Sequence, residues 1–365
     1  MAAPSSTCWP LDPHTIGKHQ VLKSYMHAWL PILSSGFPKL MFIDGFAGPG
    51  EYECGSPGSP IIALDALIQH SYKQHISSQV DFYFLEKDER RISHLSNLVK
   101  ARYPSLPPNV NVYFINGVFD TSVTELLDQV EIQSSRQLPC FAMIDPFGVT
   151  DNSMDTMARL LSNPRAELYI SFMYSYINRF KNTSSFENSL DSLFGCPDWR
   201  EGRNITDQEN RKDFFYNLYK QQLKRSGASE VVYFDLYRGN ELVYTIFFAT
   251  KSRLGCDKMK QAIWRAAPDG NMIFRGSEHQ DLLGGALQPN FKPLQVALTR
   301  QFKGQGWIRI ESIQDFVASD RTDYHTGHTK SQALKLMEKN GDIEVDTSTR
   351  KRRNTYPNGT RLRFL

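Results

Sequence analysis

A short apolar run that ends in an acid and turns at once through three glycines constrains this chain more than any other feature. It reads Leu40-Met-Phe-Ile-Asp-Gly-Phe-Ala-Gly-Pro-Gly50. Leu40 to Ile43 has the length and character of a buried strand, and Ile61 to Ile68 reads as the next helix, with Ser59 as its cap and Pro60 in its first turn. Glycines without a Cβ let a ligand lie against the backbone of such a turn. A dinucleotide site wants Gly-x-Gly-x-x-Gly, whereas here the order is Gly-x-x-Gly-x-Gly with the acid just before it. That order suits S-adenosylmethionine (SAM), with Asp44 reaching toward its ammonium end and Gly45, Phe46, Gly48 and Gly50 making room for its methionine and ribose portions.

The pattern then repeats. Val80 to Leu85, Val110 to Ile115, Cys140 to Ile144 and Leu168 to Phe172 read as further strands, with helical stretches near Arg90 to Tyr103 and Ser153 to Leu161. Strict alternation predicts a parallel sheet covered on both faces. Val231 to Tyr237 and Leu242 to Thr250, joined by Arg238-Gly-Asn-Glu241, form a hairpin signal. The expected fold class is therefore α/β: a class I methyltransferase, Rossmann-like, mostly parallel sheet with a terminal antiparallel hairpin. A helix over 19–33 precedes it.

Strand ends carry the remaining chemistry. Phe82-Tyr-Phe-Leu-Glu-Lys-Asp88 places Glu86 where an acid accepts both ribose hydroxyls, although the loop Glu51 to Gly58 lengthens the gap from Gly50. Asp88 is the competing acid, or else a helix cap. In Asn116-Gly-Val-Phe-Asp120, Gly117 allows close approach, Phe119 faces the adenine ring, and Asp120 either accepts from the adenine amino group or caps the helix after it. Met143-Ile-Asp-Pro-Phe-Gly148 puts Asp145, Pro146 and Phe147 where amine-methylating enzymes hold a target NH2 and stack its base. It departs from the common Asp-Pro-Pro-Tyr form and resembles the motif of tRNA guanine-N2 dimethyltransferases. Lys18 and His19, at the start of the first helix, and Tyr174, Tyr176, Asn178 and Arg179, after the fifth strand, are candidate substrate contacts.

Beyond a Gly-, Pro- and Asn-rich linker over 268–292, the chain changes character. Two short helices, around Ile310 to Val317 and around Leu334 to Met337, are followed by Ile343, Val345, a basic tip Arg350-Lys-Arg-Arg353 and Arg361 to Leu365. This is the plan of a winged helix-turn-helix. The expected division is 1–292 and 293–365. The whole chain holds 42 Lys and Arg against 39 Asp and Glu; the last sixty-five residues hold 12 against 8, so the first 300 hold 30 against 31. All of the excess positive charge lies in the tail, which points to a polyanion there, with Lys330, Lys335, Lys339 and Arg352 among the contacts.

Five scattered cysteines without a Cys-x-x-Cys pair, or a His at ligand spacing, predict neither a disulfide framework nor a metal site. No apolar run is long enough to span a bilayer and no secretory signal is evident at Met1 to Cys8, so a cytoplasmic protein with no membrane contact is expected.

Taken together, Lys18-His-Gln-Val-Leu22, Ile43-Asp-Gly-Phe-Ala-Gly-Pro-Gly50, Gly58-Ser-Pro-Ile-Ile-Ala-Leu64, Phe84-Leu-Glu-Lys-Asp88, Asp145-Pro-Phe-Gly148, Ile177-Asn-Arg179 and Tyr356-Pro-Asn-Gly-Thr-Arg-Leu-Arg-Phe-Leu365 resemble the three-Cys-motif partner protein family over nearly the whole chain. The resemblance implies a SAM-dependent methyltransferase-like domain with a C-terminal winged helix, found beside a radical-SAM three-Cys-motif protein. It supplies no substrate. The expected function is N-methylation of a base in nucleic acid, RNA before DNA; a non-catalytic SAM- and nucleic-acid-binding partner of a radical-SAM enzyme and a small-molecule methyltransferase are the alternatives.

Overall fold

The computed structural model describes residues 6–133, 138–268, 272–275 and 289–365. In chain order its first elements are α1 (Pro13–Ser34), β1 (Lys39–Asp44), α2 (Ser59–Ile68), β2 (Gln79–Glu86), α3 (Glu89–Arg102), β3 (Val110–Asn116), α4 (Phe119–Gln133), β4 (Cys140–Ile144), α5 (Met154–Ser162) and β5 (Ala166–Phe172). Then follow α6 (Tyr174–Phe180), α7 (Glu187–Phe194), α8 (Gln208–Arg225), β6 (Glu230–Arg238), β7 (Glu241–Thr250), α9 (Arg253–Ala266) and the short β8 (Ile273–Phe274).

These strands form one sheet in the order β3-β2-β1-β4-β5-β7-β6-β8. Strands β1 to β5 are mutually parallel, and β7 runs antiparallel to both β5 and β6. The expected mostly parallel sheet with a terminal antiparallel hairpin is present. Its central strands read as unbroken apolar runs because both faces are covered: Phe42, Phe141 and Met143 enter one core with α1, α2, α3 and α9, while Met41, Ile43, Ala142 and Ile144 enter the other with α4, α5 and α8. Each such aromatic side chain contributes about 2–3 kcal/mol by leaving water.

Two sequence expectations change in detail. The first helix begins six residues earlier than 19, because Asp12 is extended at its N-cap and Pro13 takes the first turn. Lys18 and His19 therefore sit inside the helix, one turn and a half from its start. At α2 the cap is Gly58, and Ser59 is already helical.

The linker 268–292 falls largely outside the described residues. After it come α10 (Lys292–Phe302), β9 (Ile308–Arg309), α11 (Ile310–Ala318), a helical run through Thr326–His328, Thr329–Leu334 and Lys335–Asn340 (α12), then β10 (Ile343–Val345) and β11 (Arg361–Phe364). Gly341, at φ 80°, ends α12. The three strands form an antiparallel sheet in the order β10-β11-β9.

These C-terminal elements share an apolar core with the first face of the large sheet, since Leu298, Phe316, Leu334 and Phe364 join the cluster that contains Val21 and Met259. A buried cation strengthens the junction: Lys260 Nζ on α9 donates to the carbonyls of Val317, Ser319 and Thr322 at 2.5, 2.7 and 3.1 Å. Asp257 accepts from the Thr326 amide and hydroxyl at 2.7 and 2.8 Å. Among the described residues no helix is long and apolar enough to cross a membrane.

Candidate active site

The order of the sheet reverses between β1 and β4, and in open α/β sheets the ligand crevice forms outside the carboxyl ends of the strands at that point. Asp44 closes β1 and Asp145 follows β4, with Asp44 paired to Met143 across the two strands. Two acids therefore stand at the switch point, next to Gly45 and Pro146, which line the cleft.

Asp44 is buried, and its Oδ1 accepts from the Phe46 amide at 3.2 Å. Its Oδ2 is buried without a hydrogen-bond partner among the described residues. Burial pushes its carboxyl up to about 7, against the Ser59 side chain and the Phe46 amide, whose hydrogen bonding favours the charged form. The turn after it is held by backbone bonds, from Gly45 to the Met143 carbonyl at 2.8 Å and from Ala47 to the Leu85 carbonyl at 2.9 Å. A Cβ at Gly45 would collide with the Phe119 ring, and Gly48 takes a φ of +60° that points its amide at Glu86. Glu86 ends β2, lines the cleft, and accepts from Gly48 N at 3.0 Å and Asp88 N at 2.9 Å. Phe46 and Phe119 face each other at 5.2 Å on the cleft wall.

Three expected contacts are engaged by other parts of the chain. Asp88 is the N-cap of α3: it accepts from the Arg90 and Arg91 amides and pairs with the Arg90 guanidinium at 2.7 Å, which holds its carboxyl down at about 2. Asp120 turns away from the cleft, because its oxygens take the Ser153 amide at 3.1 Å and the Thr156 hydroxyl at 2.5 Å at the start of α5. From the first turn of α4 it ties that helix to α5. Gly117 lines the cleft, but the space its missing Cβ leaves is taken by the Ser122 hydroxyl.

Asp145 is gripped from two sides. Lys18 Nζ forms an ion pair with its Oδ2, and the Ser171 hydroxyl donates to its Oδ1. Burial works against the Lys18 charge, but Asp145 outweighs it and raises the ammonium pKa; in turn Lys18 and Ser171 overcome burial and hold Asp145 below the usual carboxylate range. The Tyr169 hydroxyl donates to the Lys18 carbonyl at 3.0 Å, and the Tyr244 ring lies 5.4 Å from the ammonium. Burial and the Lys18 charge push His19 down to about 3, so it is a neutral imidazole, with the Tyr52 ring 5.8 Å away. Lys18 thus serves Asp145 before any substrate.

Pro146 and Phe147 line the cleft, with Phe147 edge-on to Trp9 at 5.4 Å. Of the residues after β5, Tyr176 reaches the cleft. Tyr174 is buried against Phe215 and Tyr216, Asn178 accepts from Lys181 Nζ at 3.1 Å, and Arg179 is exposed beside the Phe180 ring. Trp9, Arg91, Ser171 and Tyr244 were not anticipated. Only Ser171 left a trace, as the small hydroxyl residue next to the end of a fully buried strand.

In the C-terminal unit, Lys330, Lys335, Lys351 and Arg352 line one groove of about 860 Å³. Arg350 is only 5% exposed and forms a two-fold hydrogen bond with Glu338 at 2.5 and 2.8 Å, which the Tyr356 hydroxyl also contacts at 2.6 Å. It anchors the base of the basic tip instead of facing a phosphate.

No family model matches the chain, and no curated protein matches it. Among solved structures it is similar to Trm1 from Pyrococcus horikoshii in complex with S-adenosyl-L-methionine (TM-score 0.42, 8% identity, 100% of this chain and 93% of that one). It is also similar to the METTL16 MTase domain (0.32, 14%, 62% and 66%) and to M. jannaschii TYW2 in complex with AdoMet (0.31, 8%, 66% and 75%).

Proposed function

We propose that this chain is a SAM-dependent methyltransferase that acts on an exocyclic amine of a nucleic-acid base, RNA before DNA. The observation that carries the reading is the buried, unpartnered Oδ2 of Asp44 at the sheet's switch point, between Glu86 on one side and Asp145 on the other. A buried acceptor left without a partner is costly and calls for a donor from outside the chain. The ammonium of SAM suits it, Glu86 has lone pairs left for ribose hydroxyls, and Phe46 with Phe119 offers an apolar wall for adenine. Bound SAM supplies an electrophilic methyl group on sulfonium.

The chain's own residues then position the acceptor. Asp145, kept ionised by Lys18 and Ser171, accepts a hydrogen bond from the target N–H and fixes the direction of the nitrogen lone pair. Its depressed basicity makes it an orienting group, and the amine proton leaves to water. Phe147 and Tyr176 present rings on which a base can stack. The C-terminal unit is read as a winged helix whose Lys330, Lys335, Lys351 and Arg352 hold phosphate. The likeness of Asp-Pro-Phe-Gly to the tRNA guanine-N2 motif favours RNA.

The test is transfer of tritium from labelled SAM to total RNA, genomic DNA and small-molecule extract in parallel. Label entering RNA, and lost in Asp145→Ala, is expected; label entering only the small-molecule fraction overturns the substrate class. The occupation of both Asp145 oxygens by Lys18 and Ser171 favours one second reading, a non-catalytic SAM- and nucleic-acid-binding partner of a radical-SAM enzyme. Binding of both ligands with no transfer to any fraction would decide for it.

A further inference from the structure

Three side chains far apart in sequence meet near the mouth of the cleft, and none of them takes part in the chemistry above. Cys8 belongs to the N-terminal segment, Glu51 to the loop after β1 and His94 to α3. Their Sγ, carboxylate oxygen and ring nitrogen all lie within 4.8 Å of one another, with His94 Nε2 2.8 Å from Glu51 Oε1 and 3.9 Å from Cys8 Sγ. All three are partly buried.

A thiolate, an imidazole and a carboxylate make a donor set for a borderline divalent ion of the zinc class. A tetrahedral zinc with bonds of about 2.0–2.3 Å needs its ligand atoms roughly 3.4–3.6 Å apart. The two separations from His94 bracket that value, and the Cys8 and Glu51 atoms, within 4.8 Å of each other, would close by at most about 1.2 Å on a shared ion.

The cysteine is also held in place rather than carried on a loose tail. On its two sides, the Ser6 carbonyl accepts from Arg91 at 3.2 Å and the Trp9 carbonyl accepts from the Glu53 amide at 3.1 Å. These anchors are on α3 and on the loop after β1, the two elements that carry His94 and Glu51. The charged neighbours of the Cys8 sulfur are Glu51, Glu53 and Arg91, so acids outnumber bases there.

We propose that Cys8, Glu51 and His94 bind one zinc-class divalent cation, with solvent in the fourth position. On binding, the Cys8 thiol releases its proton to water, His94 ligates as the neutral imidazole, and three metal–ligand bonds form with no change of oxidation state. The thiolate and carboxylate balance the charge of the ion. The ion clamps the N-terminal segment, and with it Trp9, against Phe147 and the Gly48 turn.

The test uses the full chain, stripped with a chelator and titrated with Zn²⁺ by calorimetry, then loaded with Co²⁺ for spectroscopy. One zinc per chain and a thiolate-to-cobalt charge-transfer band are expected. Loss of an outer-shell partner typically weakens a metal site 10–100-fold, so losing a ligand in Cys8→Ser or His94→Gln should weaken zinc by more than about 100-fold. Cys8→Ser should also abolish the band, while Cys54→Ser, an exposed thiol on the same loop, should leave both intact. Substoichiometric zinc in the wild type, or a band that survives Cys8→Ser, overturns the proposal. If Cys8→Ser does not fold, His94→Gln and the wild-type cobalt spectrum decide it. The outcome is independent of SAM binding.

Discussion

Asp44 and Asp145 stand at the carboxyl ends of neighbouring strands of one sheet, yet they are held in opposite states. Asp44 keeps an oxygen without a partner and is pushed up to about 7, whereas Asp145 carries Lys18 and Ser171 and stays ionised. Residue type does not separate them; the partners of Asp145 do, Lys18 from the first helix and Ser171 from β5. One acid thereby keeps a buried oxygen open, and the other is held toward its charged form. Pairs of carboxylates driven apart by their surroundings mark division of labour in a site.

The largest expected effect comes from breaking the paired side. Lys18→Met leaves Asp145 charged and partly buried, and should cost about 2–4 kcal/mol of stability after discount for its partial exposure. Methyl transfer should fall by about 100-fold or more, as for other lost orienting contacts. Chemical denaturation and single-turnover assays measure the two, and Lys18→Met with Asp145→Leu should be more stable than Lys18→Met alone.

On the unpaired side, Asp44→Asn should weaken SAM by about 10–100-fold, the worth of a hydrogen bond to a charged partner, read by calorimetry. Its folded-state pKa lies above its unfolded value. The stability it contributes is therefore full below about pH 4 and lost as pH climbs to about 7. Thermal melts of Asp44→Asn should lack that decline.

A smaller effect follows from the same titration. A group with a pKa of about 7 is about tenfold more ionised at pH 8 than at pH 6, so SAM affinity should rise about tenfold over that interval in the wild type and stay flat in Asp44→Asn. The smallest change belongs to the groove: Lys335→Ala should weaken RNA binding uniformly across sequences and reduce the salt slope by about 1.

Much of the cleft was legible because its residues sit at strand ends. β4 runs over the expected Cys140 to Ile144, and Glu86 and Asp145 fall where the end of an apolar run put them. What escaped depends on partners distant along the chain. Asp120 meets Ser153 and Thr156 more than thirty residues on, Lys18 meets Asp145 across the whole domain, and Arg350 folds back on Glu338; no local spacing encodes these pairs. The first turns of α1 were missed because Pro13, His14 and Gly17 carry no apolar periodicity, although they are what brings Lys18 inside the helix. Cys8, Glu51 and His94 were invisible for the same reason, since nothing in their spacing resembles a metal motif.

The most direct test of the central claim is calorimetric titration of SAM into the wild type, Glu86→Ala and Asp44→Asn at pH 8. Binding one SAM per chain, weakened at least about tenfold in each variant, is the predicted result. Undiminished binding in both variants, or no binding by the wild type, would contradict it.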